Sequence, residues 1–250
     1  LRDLAAAWHD RAAALAVAAD LAQWQAAETP DLPGQGAWSE PLAGPATIRL
    51  SGVTTPDGRM LPVIEIAAGE SVALVGPSGA GKTTVLRLMA GLLPVCASQV
   101  LVAGLPLDDA TADGWRARIG WMPQAPHFLN TSLRGNLAMG RAGDLVPALR
   151  AAAVLDVVQA LPDGLNTRLG ETGGGLSGGE ARRLTLARAI HGAPDVILAD
   201  EPTADLDAAT AEMVTEGLLA QAARGATLVV ATHDMALAAR MGRIIRLEAA

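Results

Sequence analysis

An α/β fold with a parallel sheet, a small antiparallel β subdomain and a helical subdomain is predicted by three observations. Apolar runs of strand length alternate with helical stretches through residues 71–247, the pattern of a parallel sheet covered on both faces. Ahead of that region, short apolar runs are separated by Pro56-Asp57-Gly58-Arg59 and by Gly69-Glu70, turn residues that suit an antiparallel subsheet. Between residues 126 and 168 helical runs and turn signals replace the strand pattern, which places a mostly helical lobe there.

Each element follows in order. Residues 1–27 are alanine-rich, and Leu4, Trp8, Leu15, Leu21 and Trp24 gather near one broad face of a helix, suited either to a partner or to docking on its own domain. Residues 29–45 are dense in proline and glycine and read as a linker, dividing the chain into 1–45 and 46–250. Strands are expected over 46–50 and 60–66, then over Ser71–Val75, with a helix over 85–93. Further strands are expected over 99–102 and 118–122, helical runs over 145–160, and a turn at Pro162-Asp163-Gly164. A helix over 181–191 is stopped by Gly192 and Pro194, and strands return at 195–199, Thr227–Ala231 and 244–247.

Composition bounds the function. A net charge of −7 and a pI near 5.1 offer no broad basic footprint, so no nucleic-acid partner is expected. Cys96 is the single cysteine, which excludes an internal disulfide, fits a reducing compartment and reads as a small packing hydrophobe. No run of about eighteen uncharged apolar residues occurs, so no membrane-crossing helix is expected. Charges at Arg2, Asp3, Asp10, Arg11 and Asp20 argue against a secretion signal, and a start at Leu1 suggests a piece of something longer.

Gly76-Pro77-Ser78-Gly79-Ala80-Gly81-Lys82-Thr83-Thr84 fits the phosphate-loop pattern G-x-x-x-x-G-K-[ST] and sits between a strand and a helix, the context that pattern requires. Its glycines let backbone N–H groups converge on phosphate oxygens, the helix start adds positive potential, Lys82 reaches the terminal phosphates and Thr83 ligates Mg²⁺. Of the 19 basic residues, 18 are arginine and the one lysine is Lys82, a compact, flexible ammonium kept where phosphate chemistry wants one. The expectation is a P-loop NTPase core. Asp200 and Glu201 end a second apolar strand, the end at which open α/β sheets bind ligands. There Asp200 is placed to hold Mg²⁺ and Glu201 to orient or deprotonate a water. Ser177, Gly178 and Gly179 at another helix start form a second anion-binding device, odd in one chain unless it serves another, and with Glu180 they also read as a capping box.

In order along residues 46–250, the phosphate loop, Gln124 in Trp121-Met122-Pro123-Gln124, Leu176 to Glu180, Asp200-Glu201, Leu206-Asp207 and His233 in Thr232-His233-Asp234 resemble an ABC transporter ATP-binding domain. The resemblance implies the ABC ATPase fold, ATP and Mg²⁺ as ligands, and ATP hydrolysis coupled to transport. It also implies a head-to-tail dimer in which each nucleotide lies between one chain's phosphate loop and the other chain's Ser177, Gly178 and Gly179. Gln124 then corresponds to the residue that touches Mg²⁺ and the lytic water, and His233 to the switch histidine on the γ-phosphate, whereas His9, His127 and His191 match no motif. Residues 204–207 resemble the loop that couples the two sites. Glu171 in Leu169-Gly170-Glu171-Thr172-Gly173 resembles the exporter-type loop that faces the transmembrane domains.

The first 45 residues, read as the cytoplasmic end of a last transmembrane helix plus a linker, and the runs over 121–129, 132–137 and 161–167 resemble exporters, with Thr203-Ala204-Asp205-Leu206-Asp207 carrying a narrower likeness. Their likeness extends to CydD-type subunits, a family that exports cysteine or glutathione for cytochrome bd assembly as a heterodimer. That likeness implies a domain on the cytoplasmic face of the inner membrane. Two departures stand out. Glu180 replaces the usual glutamine, which predicts a working but weakened trans site. No tyrosine occurs in the chain, and the position of the usual adenine-stacking aromatic falls at or near Thr55. Loss of such a stack costs on the order of 1–3 kcal/mol, so weak discrimination of ATP from GTP is expected.

Overall fold

The computed structural model describes residues 34, 41–55, 58, 60–94, 99–170 and 175–248. The expected helix over 1–27, Cys96 and Glu171 lie outside them.

The chain enters on β1 (Ile48–Leu50) and β2 (Ile64–Ile66), which pair antiparallel with Ile48 opposite Ile66. β3 (Ser71–Val75) coincides with the expected strand and leads into α1 (Lys82–Met89), which starts three residues earlier than the apolar pattern indicates. β4 (Val100–Val102) joins β1 rather than β3, and β5 (Leu105–Pro106) completes an antiparallel sheet of order β2-β1-β4-β5. A short α2 (Ala112–Arg116) follows, its Trp115 buried with Nε1 donating to the Met89 carbonyl at 2.8 Å, and then β6 (Ile119–Met122).

The helical lobe contains β7 (Thr131–Ser132), α3 (Leu133–Ala138), α4 (Val146–Ala151), α5 (Leu155–Ala160) and β8 (Arg168–Leu169). The helical stretch expected over 145–160 is broken in two. Ala153 takes φ 51°, Ala153 N–H donates to the Arg150 carbonyl and Val154 N–H to the Leu149 carbonyl, the paired bonds of a Schellman stop. A two-residue ladder between β7 and β8 closes the lobe with Thr131 opposite Leu169.

α6 (Gly178–Ile190), β9 (Val196–Asp200), α7 (Ala208–Ala223), β10 (Thr227–Ala231), α8 (Met235–Ala239) and β11 (Arg243–Arg246) complete the chain. The parallel sheet has the order β11-β3-β10-β9-β6. Its central strands are buried on both faces and sort their side chains by the two-residue period. Val72, Leu74, Val196, Leu198, Val229 and Ala231 pack with α1 and the antiparallel sheet. Ala73, Val75, Ile197, Ala199, Leu228 and Val230 pack with the helical lobe and α6 to α8. Gly120 permits the closest approach: a Cβ there would lie 1.9 Å from the Ala189 carbonyl oxygen of α6. Among the described residues no helix is long and apolar enough to cross a membrane.

Candidate active site

The carboxyl ends of four neighbouring strands converge on one edge of the sheet, where open α/β sheets bind ligands. β3 runs into the phosphate loop, β10 into Thr232 and His233, β9 ends on Asp200 beside Glu201, and β6 leads to Gln124. A cleft of about 520 Å³ opens there, lined by Ser78, Gly79, Ala80, Gly81, Lys82, Thr83, Thr84, Gln124, Arg182, Asp200, Glu201, Ala204, Asp205 and His233.

Gly81, at φ 85°, turns the loop into α1 in a conformation that a Cβ would penalise. The start of α1 has no side-chain cap and no acidic residue, whereas α3, α6, α7 and α8 are each capped by a side-chain oxygen. The first amides of α1 therefore retain their capacity to bind an anion, as a polyphosphate requires. Lys82 Nζ donates to the carbonyls of Gly76 at 2.8 Å and Pro77 at 3.2 Å, which holds the ammonium against the loop.

Thr83 Oγ1 donates to Asp200 Oδ2 at 2.6 Å. Asp200 is 1% exposed, and burial raises its pKa above the ordinary carboxylate value, with the Thr83 hydrogen bond opposing the rise and the Glu201 charge adding to it. Hydroxyl and carboxylate oxygens are the hard donors that Mg²⁺ takes, with water and phosphate oxygens completing its shell, so the pair fits that ion. Among the described residues no group of three His, Cys, Asp or Glu side chains could hold a metal alone.

Glu201 is 8% exposed and sits at φ 51°, a backbone region costly for a residue with a Cβ. Its N–H donates to the Ala231 carbonyl at 2.8 Å. Its Oε2 lies 2.9 Å from His233 Nδ1 and accepts from His233 N–H and Thr232 Oγ1, each at 3.3 Å. Glu201 thus occupies Nδ1 of the ring, which leaves Nε2 for another partner.

Gly76 and Pro77 do not line the cleft, their contribution being the carbonyls that hold Lys82. Ser177, Gly178 and Gly179 do not line it either. They open α6, where Ser177 Oγ accepts from Glu180 N–H at 3.3 Å and Glu180 Oε2 accepts from Ser177 N–H at 2.8 Å. Glu180 thus completes a reciprocal capping box. Asp207 caps α7, and the hydrogen bond from the Thr210 hydroxyl holds its carboxyl below the ordinary range. His127 is exposed and His191 is buried with Nε2 3.4 Å from the Arg141 carbonyl; neither lies in the cleft. Thr55 is 4% exposed.

Sequence reasoning missed Arg182, Ala204 and Asp205 as parts of the cleft. The one signal in the sequence is the Arg182-Arg183 pair one turn into α6.

A phosphate loop, an uncapped helix start and a hydroxyl–carboxylate pair on the carboxyl edge of a parallel sheet define a nucleoside-triphosphate-binding α/β domain of the P-loop class. A profile of the ABC transporter family matches residues 63–204, and the chain belongs to that family as its ATP-binding domain, with the ABC ATPase fold. ATP-binding cassette sub-family B member 6 of Rattus norvegicus is 36% identical over 184 residues, covering 72% of this chain and 22% of that protein. The ATP-dependent lipid A-core flippase of Burkholderia orbicola (strain AU 1054) is 36% identical over 188 residues, covering 74% of this chain and 32% of that protein. A solved bacterial Atm1-family ABC exporter with ATP bound superposes with a TM-score of 0.73 at 30% identity, over 88% of this chain and 39% of that one. The matched region thus spans between a fifth and two fifths of these relatives.

Proposed function

We propose that this chain is the ATP-hydrolysing domain of an ABC exporter. The observation that carries the proposal is the convergence of Lys82, Thr83, Gln124, Asp200, Glu201 and His233 on one cleft, while Ser177, Gly178 and Gly179 stand outside it. In this reading Gly76, Pro77, Ser78, Gly79, Ala80, Gly81 and Thr84 shape the loop that cradles the phosphates, and Lys82 reaches their terminal oxygens. Thr83, Asp200 and Gln124 hold Mg²⁺, which when bound neutralises charge on the phosphate oxygens. Glu201 orients or deprotonates the water that attacks the γ-phosphate in line, and His233, fixed by its Nδ1 contact with Glu201, offers Nε2 towards the γ-phosphate. Catalysis is mainly positioning and electrostatics. Ser177, Gly178 and Gly179 complete the site of a second ATP-binding domain packed head to tail, beside the transmembrane domains and on the cytoplasmic face of the inner membrane. Similarity to an Atm1-family ABC exporter and to an ATP-dependent lipid A-core flippase supports this reading.

Glu201→Gln in the assembled protein tests it. The expected result is ATP turnover lowered by about a hundredfold or more with nucleotide binding retained; an unchanged rate overturns the hydrolytic reading. The narrower assignment to CydD-type export of cysteine or glutathione rests on local phrases such as Thr203-Ala204-Asp205-Leu206-Asp207. ATP-dependent accumulation of either thiol in inverted vesicles checks it, and transport of neither rejects it.

A further inference from the structure

We propose that Arg182 is a positioning residue for Glu201: from α6 it clamps the left-handed backbone that aims the Glu201 carboxylate. This rests on the reading of Glu201 as the residue that acts on water.

Within the loop that follows β9, two residues other than glycine adopt positive φ, Glu201 at 51° and Asp205 at 62°. Each such conformation costs on its own and persists only where the surroundings hold it. One guanidinium meets both. Arg182 Nη1 donates to the Glu201 carbonyl at 3.1 Å, and Nη2 donates to Asp205 Oδ2 at 3.1 Å. The Glu201 carbonyl also accepts from Ala204 N–H at 3.2 Å, so the arginine closes a small ring of bonds around the strained turn. The Arg182 side chain is only 13% exposed, and its Nε is buried without a hydrogen-bond partner, so the group is held in one orientation by its two end nitrogens. A planar fork suits that geometry, whereas a lysine could reach only one acceptor well.

The placement of Arg182 gives the clamp a second role. It stands in the second turn of α6, the helix that begins with Ser177, Gly178 and Gly179. Gly179 itself touches the same loop: a Cβ there would lie 3.2 Å from Leu206 Cδ2. The segment proposed to face a second domain and the carboxylate proposed to act in this chain's own cleft are thus joined through α6 within one chain. A shift of α6 on closure would reach Glu201 through Arg182.

The test uses Arg182→Gln, Arg182→Lys and Asp205→Asn in the complete assembled protein, with Glu201→Gln alongside. Steady-state kinetics, nucleotide affinity and amide exchange over residues 199–207 are the readouts. Arg182→Gln is expected to lower kcat about tenfold, the rate equivalent of releasing one strained residue. KM and nucleotide affinity should stay within about twofold, since the clamp assigns Arg182 contacts to the loop after β9 and none to the nucleotide. The Ala204 amide should exchange faster. Arg182→Lys should recover part of kcat, and Asp205→Asn should lower it less than Arg182→Gln does. Unchanged kcat and exchange in Arg182→Gln, with Glu201→Gln inactive, overturn this inference alone. A fully active Glu201→Gln instead overturns the reading of Glu201 on which it rests. A fall in nucleotide affinity in step with kcat also overturns the clamp, because it would make Arg182 a direct phosphate contact.

Discussion

At residue scale, Lys82 lines the cleft at the phosphate loop, whereas Thr55 does not line it. Lys82 is the chain's one lysine, and its bonds to Gly76 and Pro77 keep its ammonium on the phosphate loop, so the polyphosphate end is specified by charge and by amides. Thr55, at or near which the family resemblance implies the adenine-stacking aromatic, is a small buried side chain with no ring to offer. A base that lacks its stacking partner gives up on the order of 1–3 kcal/mol, and what is lost is the part of the binding energy that senses the base rather than the phosphates. ATP and GTP should therefore bind with similar affinities. Equilibrium titration with both nucleotides measures the ratio, and a strong preference for ATP rejects the expectation.

At element scale, the site depends on how closely α6 rides on the sheet. Gly120 in β6 leaves room for the Ala189 carbonyl, and a methyl group there must push α6 away from the strand that leads to Gln124. Gly120→Ala is expected to destabilise the domain by about 1–3 kcal/mol, as overpacking of a close contact does. Chemical denaturation checks this, and an unchanged midpoint refutes it. Much of this architecture was legible beforehand. Ser71–Val75 and Thr227–Ala231 are apolar runs bounded by turns, and the phosphate loop and Asp200-Glu201 fall at strand ends that the pattern marks. The break between α4 and α5 was not legible, because Ala153 takes the left-handed stop that glycine usually announces. Arg182 was hidden for a different reason: its partners, Glu201 and Asp205, come from a loop about twenty positions away and meet it only once α6 lies against β6 and β9.

At the scale of the whole molecule, the cleft has the strand ends and lacks Ser177, Gly178 and Gly179. If those residues serve a second domain, nucleotide binding belongs to one chain and hydrolysis to two. ATP turnover per chain should then rise with protein concentration until dimers saturate, while nucleotide affinity at one phosphate loop changes less. A strictly monomeric preparation that hydrolyses at full rate, independent of concentration, contradicts this.

The strand order β11-β3-β10-β9-β6 also governs when the domain can first work. β3 takes both of its sheet neighbours, β10 and β11, from strands that follow it far along the sequence. Closing such distant pairings is slow and cannot begin before the late strands exist. The phosphate loop therefore leaves the ribosome long before the strand beneath it has neighbours to anchor it. Throughout that interval β3 lacks both of its strand partners, and the nucleotide site stays incomplete until β10 and β11 have followed it.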